Sequence, residues 1–238
     1  LTPVTTRKWS SLFRKPFVVV FIFLALLTLL WSRNRIGAVS GGTLAPSPSG
    51  ARDLWDFYFA PWHQVSLGSK SASPLWMPLI AIASLFTLGN VGLFISLFFI
   101  VAPILLFTSA HHLVKKVSDN RFITVSASAL YALSPISISA INTGRIGLLV
   151  LMALAPFLVS SLLQWRNVES FSIRKVAAHS LLLALIFSFA PTFFIALLLL
   201  ISAAVVADLL QWRKDGERAL LLTRLGRRTI FLLSPIAL

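Results

Sequence analysis

The chain has 238 residues, of which 57% are hydrophobic and 12% are charged. An average soluble domain carries about 25% charged residues, so this composition excludes an ordinary water-soluble globule, and its hydrophobicity excludes a disordered chain. Lysine and arginine total 21 against 7 acids, and because the basic residues cluster between apolar runs we expect them to mark cytoplasmic loops rather than a nucleic-acid interface.

The first apolar run follows a basic segment. Residues 1–16 contain four lysines and arginines, and residues 17–31 are apolar. This run is somewhat shorter than the roughly 30 Å hydrocarbon core of a bilayer, but snorkelling of Arg14 and Lys15 can extend it. We therefore predict a cytoplasmic amino-terminal segment over 1–16 and a first transmembrane helix over 17–31.

Residues 32–75 form the longest polar segment of the sequence. Its first part is rich in glycine, serine and proline, which is typical of a loop. Residues 51–60 then read ARDLWDFYFA, where two acids at i and i+3 share one face of a helix. The dense aromatic side chains favour the boundary between bilayer and water. We predict an extracytoplasmic loop over 32–75 that contains an interfacial helix over 51–60.

Apolar runs occupy residues 76–212, which we predict to be a membrane helix bundle. The run at 76–88 is too short to cross and ends at a Gly-Asn pair, so we interpret it as a re-entrant or interfacial helix. The longer runs are 91–113, 122–141, 146–165 and 176–212, the last divided into two crossings at Pro191.

A basic cytoplasmic loop over 213–228 and the apolar start of a further helix over 229–238 follow, so we expect the sequence to be part of a longer protein. The predicted fold is an all-α polytopic membrane helix bundle, with about six crossings plus one short re-entrant or interfacial helix. A cytoplasmic amino terminus places most basic residues inside if 76–88 does not cross. An outside amino terminus with 76–88 crossing gives the same charge distribution, and the short length of 76–88 favours the first arrangement.

Asp53 and Asp56 are the acids predicted to lie outside the membrane, and they are the candidate catalytic residues. A carboxylate at an apolar interface can act as a general base. The alternative is that one of them caps the short helix and both face water. No motif for a metal, a nucleotide or another cofactor is present, and there is no cysteine, so we expect no metal and no cofactor.

Four further residues are candidates for substrate binding on the same predicted side. Trp62 and His63 end the aromatic stretch, and a histidine there can hydrogen-bond a phosphate or transfer a proton. Lys70 and Arg145 can bind a phosphate, which arginine recognises with two parallel hydrogen bonds. Each of them can also simply anchor the chain at the interface.

Three strings resemble a family of membrane glycosyltransferases. They are GARDLWDFYFAPWHQVSLGSKSASPLW at 50–76, LYALSPISISAINTGRIGLLVLMALAPFL at 130–158 and FSFAPTFF at 187–194. All three resemble the polytopic membrane region of large actinobacterial family 2 glycosyltransferases. The DLWD element, the short dipping run and the YALSP string are also similar to the start of the cell-wall arabinofuranosyltransferases, which have the GT-C architecture.

This resemblance implies a multi-pass cell-membrane protein that builds cell-envelope polysaccharide, moving a sugar from a polyprenyl-phosphate donor to a glycan acceptor. Asp53 or Asp56 would then be the base. The arabinofuranosyltransferases place further acids just after the first crossing, where residues 36–50 of this chain have none. A non-catalytic anchor or export module of a family 2 glycosyltransferase is therefore the second interpretation, and a transporter the third. The oligomeric state is not indicated.

Overall fold

The computed structural model describes residues 16–32, 50–61, 73–164 and 173–195, together with 199, 202 and 206. Within these ranges the chain is helical and has no strand, which confirms the all-α class. The α-helices of the described chain are α1 (Pro16–Ser32), α2 (Ala51–Phe59), α3 (Trp76–Ala83), α4 (Val91–Val117), α5 (Arg121–Ala132), α6 (Pro135–Asn142), α7 (Ile146–Gln164) and α8 (Ile173–Phe189), and a 3₁₀ turn at Ser84–Thr87 extends α3.

Two stretches of the described chain are long and apolar enough to cross a membrane. They are α4 and the combined α5–α6 stretch, Arg121–Asn142, whereas the remaining apolar helices are shorter. Along α4, Leu97, Val101 and Leu105 recur every four residues and each exposes about two fifths of its surface. An apolar stripe of this kind is typical of contact with lipid. The structure therefore indicates membrane association, while the predicted number of about six crossings is not confirmed.

The chain divides into two compact units, residues 1–156 and residues 157–238. In the first unit α1, α4 and α5 pack together, and the core between them includes Leu24, Leu106 and Phe107, all fully buried. In the second unit Leu183 and Ile186 are fully buried on α8. That helix ends at Phe189, directly before the Ala-Pro pair that the sequence predicts as a break.

The stretch predicted as one helix over 122–141 is divided in two. Pro135 lacks an N–H and suits the first turn of a helix, so α6 begins there with Ser134 as its amino-terminal cap. The Ser134 hydroxyl oxygen accepts a hydrogen bond from the Ser137 N–H at 3.3 Å. The Ser137 hydroxyl in turn lies 2.6 Å from the carbonyl oxygen of Ala132, at the end of α5. The break is therefore satisfied by serine side chains, as a break within a membrane requires.

A side-chain hydrogen bond joins α5 to α7. The Tyr131 hydroxyl donates to the backbone carbonyl oxygen of Met152 at 2.7 Å. In a regular helix that carbonyl would accept from the N–H of residue 156, but residue 156 is a proline inside α7 and has no N–H. Tyr131 therefore supplies the donor that Pro156 removes.

Asparagine caps fix the starts of α4 and α5. The Asn90 side chain accepts from the Leu93 N–H at 2.9 Å, and the Asn120 side chain accepts from the Phe122 N–H at 3.0 Å. Asparagine is among the most favourable residues for this position because its side-chain oxygen satisfies a backbone N–H that has no partner within the helix. Both ends of the α4 segment are thus bounded by sharply defined turns.

Candidate functional site

The turn before α4 holds the amino-terminal end of α2. Leu88 and Gly89 both adopt left-handed backbone conformations, with φ of 55° and 79°, and reverse the chain after the 3₁₀ turn. The Ala51 N–H donates to the Gly89 carbonyl oxygen at 2.9 Å, and Gly50 pairs with Asn90 as an isolated antiparallel bridge. The start of α2 therefore lies beside the start of α4.

α2 has one buried face and one exposed face. Leu54 is buried on the side that packs against α3, which explains why an otherwise polar and aromatic segment forms a helix here. Asp53, Asp56 and Phe59 are exposed. The helix ends one residue before the predicted boundary, because Ala60 adopts an extended conformation.

Asp53 has a structural partner at the start of its own helix. It is the third residue of α2, and its carboxylate oxygen Oδ2 accepts a hydrogen bond from the Gly50 N–H at 3.2 Å. A negative charge in the first turn also interacts favourably with the helix dipole. The geometry thus matches the capping alternative for Asp53, and its catalytic role stays a prediction.

Asp56 lies next to a group of aromatic rings, of which Phe59 is exposed and Trp55 and Tyr58 are half-buried. Within the described part of the chain it forms no hydrogen bond or ion pair. The rings of Trp55 and Phe59 are stacked, with centroids 5.7 Å apart and planes 11° from parallel, and Tyr58 meets Phe59 edge to face at 5.1 Å. Flat aromatic faces stack on the C–H faces of sugar rings, and a carboxylate accepts protons from sugar hydroxyls. This combination of groups is suited to carbohydrate.

The sequence predicts these aromatic residues at the membrane interface and does not predict a ligand surface. The signal was present in the spacing of Trp55 and Phe59, since residues at i and i+4 lie one above the other on a helix. The structure adds that the two rings stack on each other, which leaves the outer ring faces for a ligand next to Asp56.

Arg145 stands on the turn between α6 and α7, as predicted. Gly144 has φ of 70°, and the Arg145 N–H donates to the Ala140 carbonyl oxygen at 2.9 Å, which is the pattern of a Schellman helix end. The Arg145 side chain is exposed. The structure thus groups the two acids on one helix and places Arg145 on a separate turn.

The other three candidates for substrate binding, Trp62, His63 and Lys70, lie outside the described residues. Among the residues that are described, no group of three or more histidine, aspartate and glutamate side chains could hold a metal ion.

α2 lies at one end of the longest apolar helix of the described chain. α4 has 27 residues, which at 1.5 Å per residue corresponds to about 40 Å. A bilayer including its head groups is about 40–45 Å thick. Because α2 contacts the turn at the beginning of α4, it lies at one end of the longest candidate span.

Comparison with protein-family models, curated proteins and solved structures finds no match to this chain.

Proposed function

We propose that this chain is the membrane region of a glycosyltransferase that builds cell-envelope polysaccharide. In this proposal about six crossings form a GT-C-like bundle in the cell membrane, the amino terminus is cytoplasmic, and α3 with its 3₁₀ turn is the short helix that enters without crossing. α2 then lies at the outer surface, where a glycan acceptor and a lipid-linked sugar can meet.

The observation that carries the proposal is the position of Asp56 beside the stacked rings of Trp55 and Phe59. A general base needs to reach the proton of the acceptor hydroxyl, and a ring platform holds a sugar flat beside it. Both conditions are supported by one short helix whose start is fixed to the turn before α4.

The proposed reaction is an inverting sugar transfer from a polyprenyl-phosphate donor. Asp56 accepts the proton of the acceptor hydroxyl, and the oxygen of that hydroxyl forms a bond to the anomeric carbon of the donor sugar. The bond between that carbon and the phosphate oxygen breaks at the same time, and polyprenyl phosphate leaves with the electron pair. Asp53 holds the start of α2 and so positions Asp56.

The remaining predicted residues have roles in binding the substrates. Arg145 or Lys70 would stabilise the charge on the leaving phosphate, for which arginine is particularly suited. Trp62 and His63 would extend the binding surface beyond α2. No step of this scheme uses a metal or another cofactor.

A second candidate is a non-catalytic anchor or export module of a family 2 glycosyltransferase. It is favoured by the hydrogen bond of Asp53 to Gly50, which gives one of the two acids a purely structural task. In that case the aromatic platform of α2 would hold or guide a glycan product without reacting with it.

The two candidates are separated by measuring sugar transfer in membranes that contain the full-length protein, with radiolabelled polyprenyl-phosphate sugars and a glycan acceptor. Removal of a general base costs roughly 10²–10⁴ in rate. We therefore expect Asp56→Asn to lower the transfer rate by at least about a hundredfold at an unchanged amount of protein.

Two further variants complete this experiment. Glu169→Gln makes the same chemical change at a different acid and should leave transfer unchanged. Asp53→Asn should reduce the amount of folded protein more than the activity per molecule. Full activity in a variant that carries both Asp53→Asn and Asp56→Asn would end the catalytic assignment and leave the anchor or export module.

A further inference from the structure

A second site is indicated at the opposite end of α4. A cavity of about 410 Å³ lies between α1, the end of α4 and the start of α5. Sites for small ligands typically enclose about 300–1,000 Å³, so its size suits a head group rather than a single ion. Phe17 and Val125 form its apolar wall, and polar side chains surround the rest.

Two cations line this cavity. Lys115 belongs to the last turn of α4 and Arg121 to the first turn of α5. Neither forms an ion pair with any residue that the structure describes. Among the described residues, Asp119 is the single acid in the lining, so the described side chains give the site a net positive charge.

The position of Arg121 at a helix start favours a nearby anion. It begins α5, where the helix dipole is positive, and the first turn of α5 contains no acid. Negative charges are favoured at this end of a helix and positive charges are not. A bound anion would interact at once with the guanidinium, with the Lys115 ammonium and with the helix start.

His111 is a further polar side chain in the lining of this cavity. Its ring lies between Phe17 and Phe107, with centroid distances of 4.5 Å and 6.0 Å, and it lines the cavity. Its Nδ1 atom is buried and has no hydrogen-bond partner in the described chain. Buried polar atoms are nearly always hydrogen-bonded, so an exception requires an explanation.

Hydrogen bonds define the turn between α4 and α5 beside the cavity. Asn120 caps α5, and the Thr124 hydroxyl, which is buried, lies 2.9 Å from the Asn120 carbonyl oxygen. The Ser118 N–H donates to the Val114 carbonyl oxygen at 2.8 Å and so closes the end of α4. Lys115 and Arg121, whose side chains are exposed, therefore extend from two helices that a defined turn joins.

We propose that this cavity binds a phosphate group, with Lys115 and Arg121 as its cationic contacts and His111 as a further polar contact. The phosphate belongs either to a lipid head group that enters from the end of the membrane span or to a soluble phosphate compound. The site is distinct from the acid and aromatic surface of α2, and its test does not depend on any transfer activity.

The test is direct measurement of binding to the purified full-length protein. One arm titrates inorganic phosphate by calorimetry. The other arm places the protein in phosphatidylcholine nanodiscs with and without phosphatidic acid and counts the retained lipids by native mass spectrometry. A charge-assisted contact is worth about tenfold in affinity or more, so we expect Lys115→Gln and Arg121→Gln each to weaken binding about tenfold.

Lys116→Gln is the matched control, because it removes the same charge from the neighbouring residue, which is not part of the cavity lining. Binding in the control should stay within about twofold of the unaltered protein. Thermal unfolding without ligand verifies that each variant is folded. Binding in the lipid arm alone assigns the phosphate to a head group, and binding in the calorimetric arm alone assigns it to a soluble compound.

Two results would overturn the proposal. In the first, Lys115→Gln and Arg121→Gln bind both probes with the same affinity as the unaltered protein. The second is an equal loss in Lys116→Gln, which would mean general attraction to a positive surface.

Discussion

The two ends of α4 carry opposite chemistry. At its beginning, α2 carries two exposed acids and a stacked pair of aromatic rings, of which Phe59 is exposed and Trp55 half-buried. At its end, a cavity is lined by Lys115, Arg121 and His111. About 40 Å of helix separates them. We propose a sugar as the ligand of the first end and a phosphate group as the ligand of the second.

Both ends of α4 use an asparagine cap and a short turn, so the same local structure supports the acidic surface of α2 and the positively charged cavity. Asn90 fixes the turn that holds α2, and Asn120 fixes the turn that holds Arg121. What differs is the packing of the adjacent element: α2 packs against α3, whereas α5 packs against α1 and α4 and borders a cavity.

The largest expected effect is an all-or-none difference in labelling from the two sides of the membrane. The sequence contains no cysteine, so Phe59→Cys and Val117→Cys each introduce a single thiol at a side chain that is 71% exposed. In sealed vesicles, a membrane-impermeant maleimide should label one variant from the outside only and the other from the inside only. Labelling of both variants from the same side would show that the two ends of α4 do not lie on opposite sides of the membrane.

A medium-sized effect is expected between the two ends, at Tyr131. The chain has two tyrosines, and they form a matched pair. Tyr131→Phe leaves the Met152 carbonyl oxygen without a donor, which costs about 1–3 kcal/mol, whereas Tyr58→Phe on the exposed helix should change stability by less than about 0.5 kcal/mol. Thermal or denaturant unfolding in detergent measures both.

The Tyr131 interpretation also has an internal control. Pro156→Ala restores an N–H to α7 at the position that the Met152 carbonyl requires. Stability lost in Tyr131→Phe should therefore be largely recovered in the double variant. An additive loss instead would show that the tyrosine stabilises the protein by packing and not through its hydroxyl.

The smallest expected effects are at the two caps. Asn90→Ala and Asn120→Ala should each lower stability by about 1 kcal/mol, but they should have different local consequences. Hydrogen exchange should increase in α2 for the first variant and around the cavity for the second. An increase at both ends in either variant would mean that the two regions are not independent.

Much of the helical framework is predictable from the sequence. Pro16 at the start of α1, the Gly-Asn pair before α4, the turn at Arg145 and the Ala-Pro pair after α8 all mark boundaries that the structure also has. Each follows from local backbone chemistry, namely proline without an N–H and glycine with access to positive φ. Such signals need no knowledge of tertiary contacts.

The candidate sites are less predictable, because they depend on contacts between elements. The sequence identifies Asp53 and Asp56 as a pair on one helix face, but only the structure distinguishes their surroundings, since the hydrogen bond from Gly50 involves Asp53 alone. The cavity was not predicted at all. Its residues come from three helices, and Lys115 and Arg121 were interpreted only as markers of a cytoplasmic loop.

The hydrogen bond between Tyr131 and Met152 makes substitutions at residues 131 and 156 depend on each other during evolution. While Tyr131 is present, residue 156 is free to change from proline to another helix-forming residue, because the backbone then provides a second donor. If Tyr131 is lost while Pro156 remains, the Met152 carbonyl group has no hydrogen-bond donor and the protein is less stable. Evolution can therefore take these two steps easily in one order only, and descendants that keep proline at 156 should also keep a hydrogen-bond donor at 131.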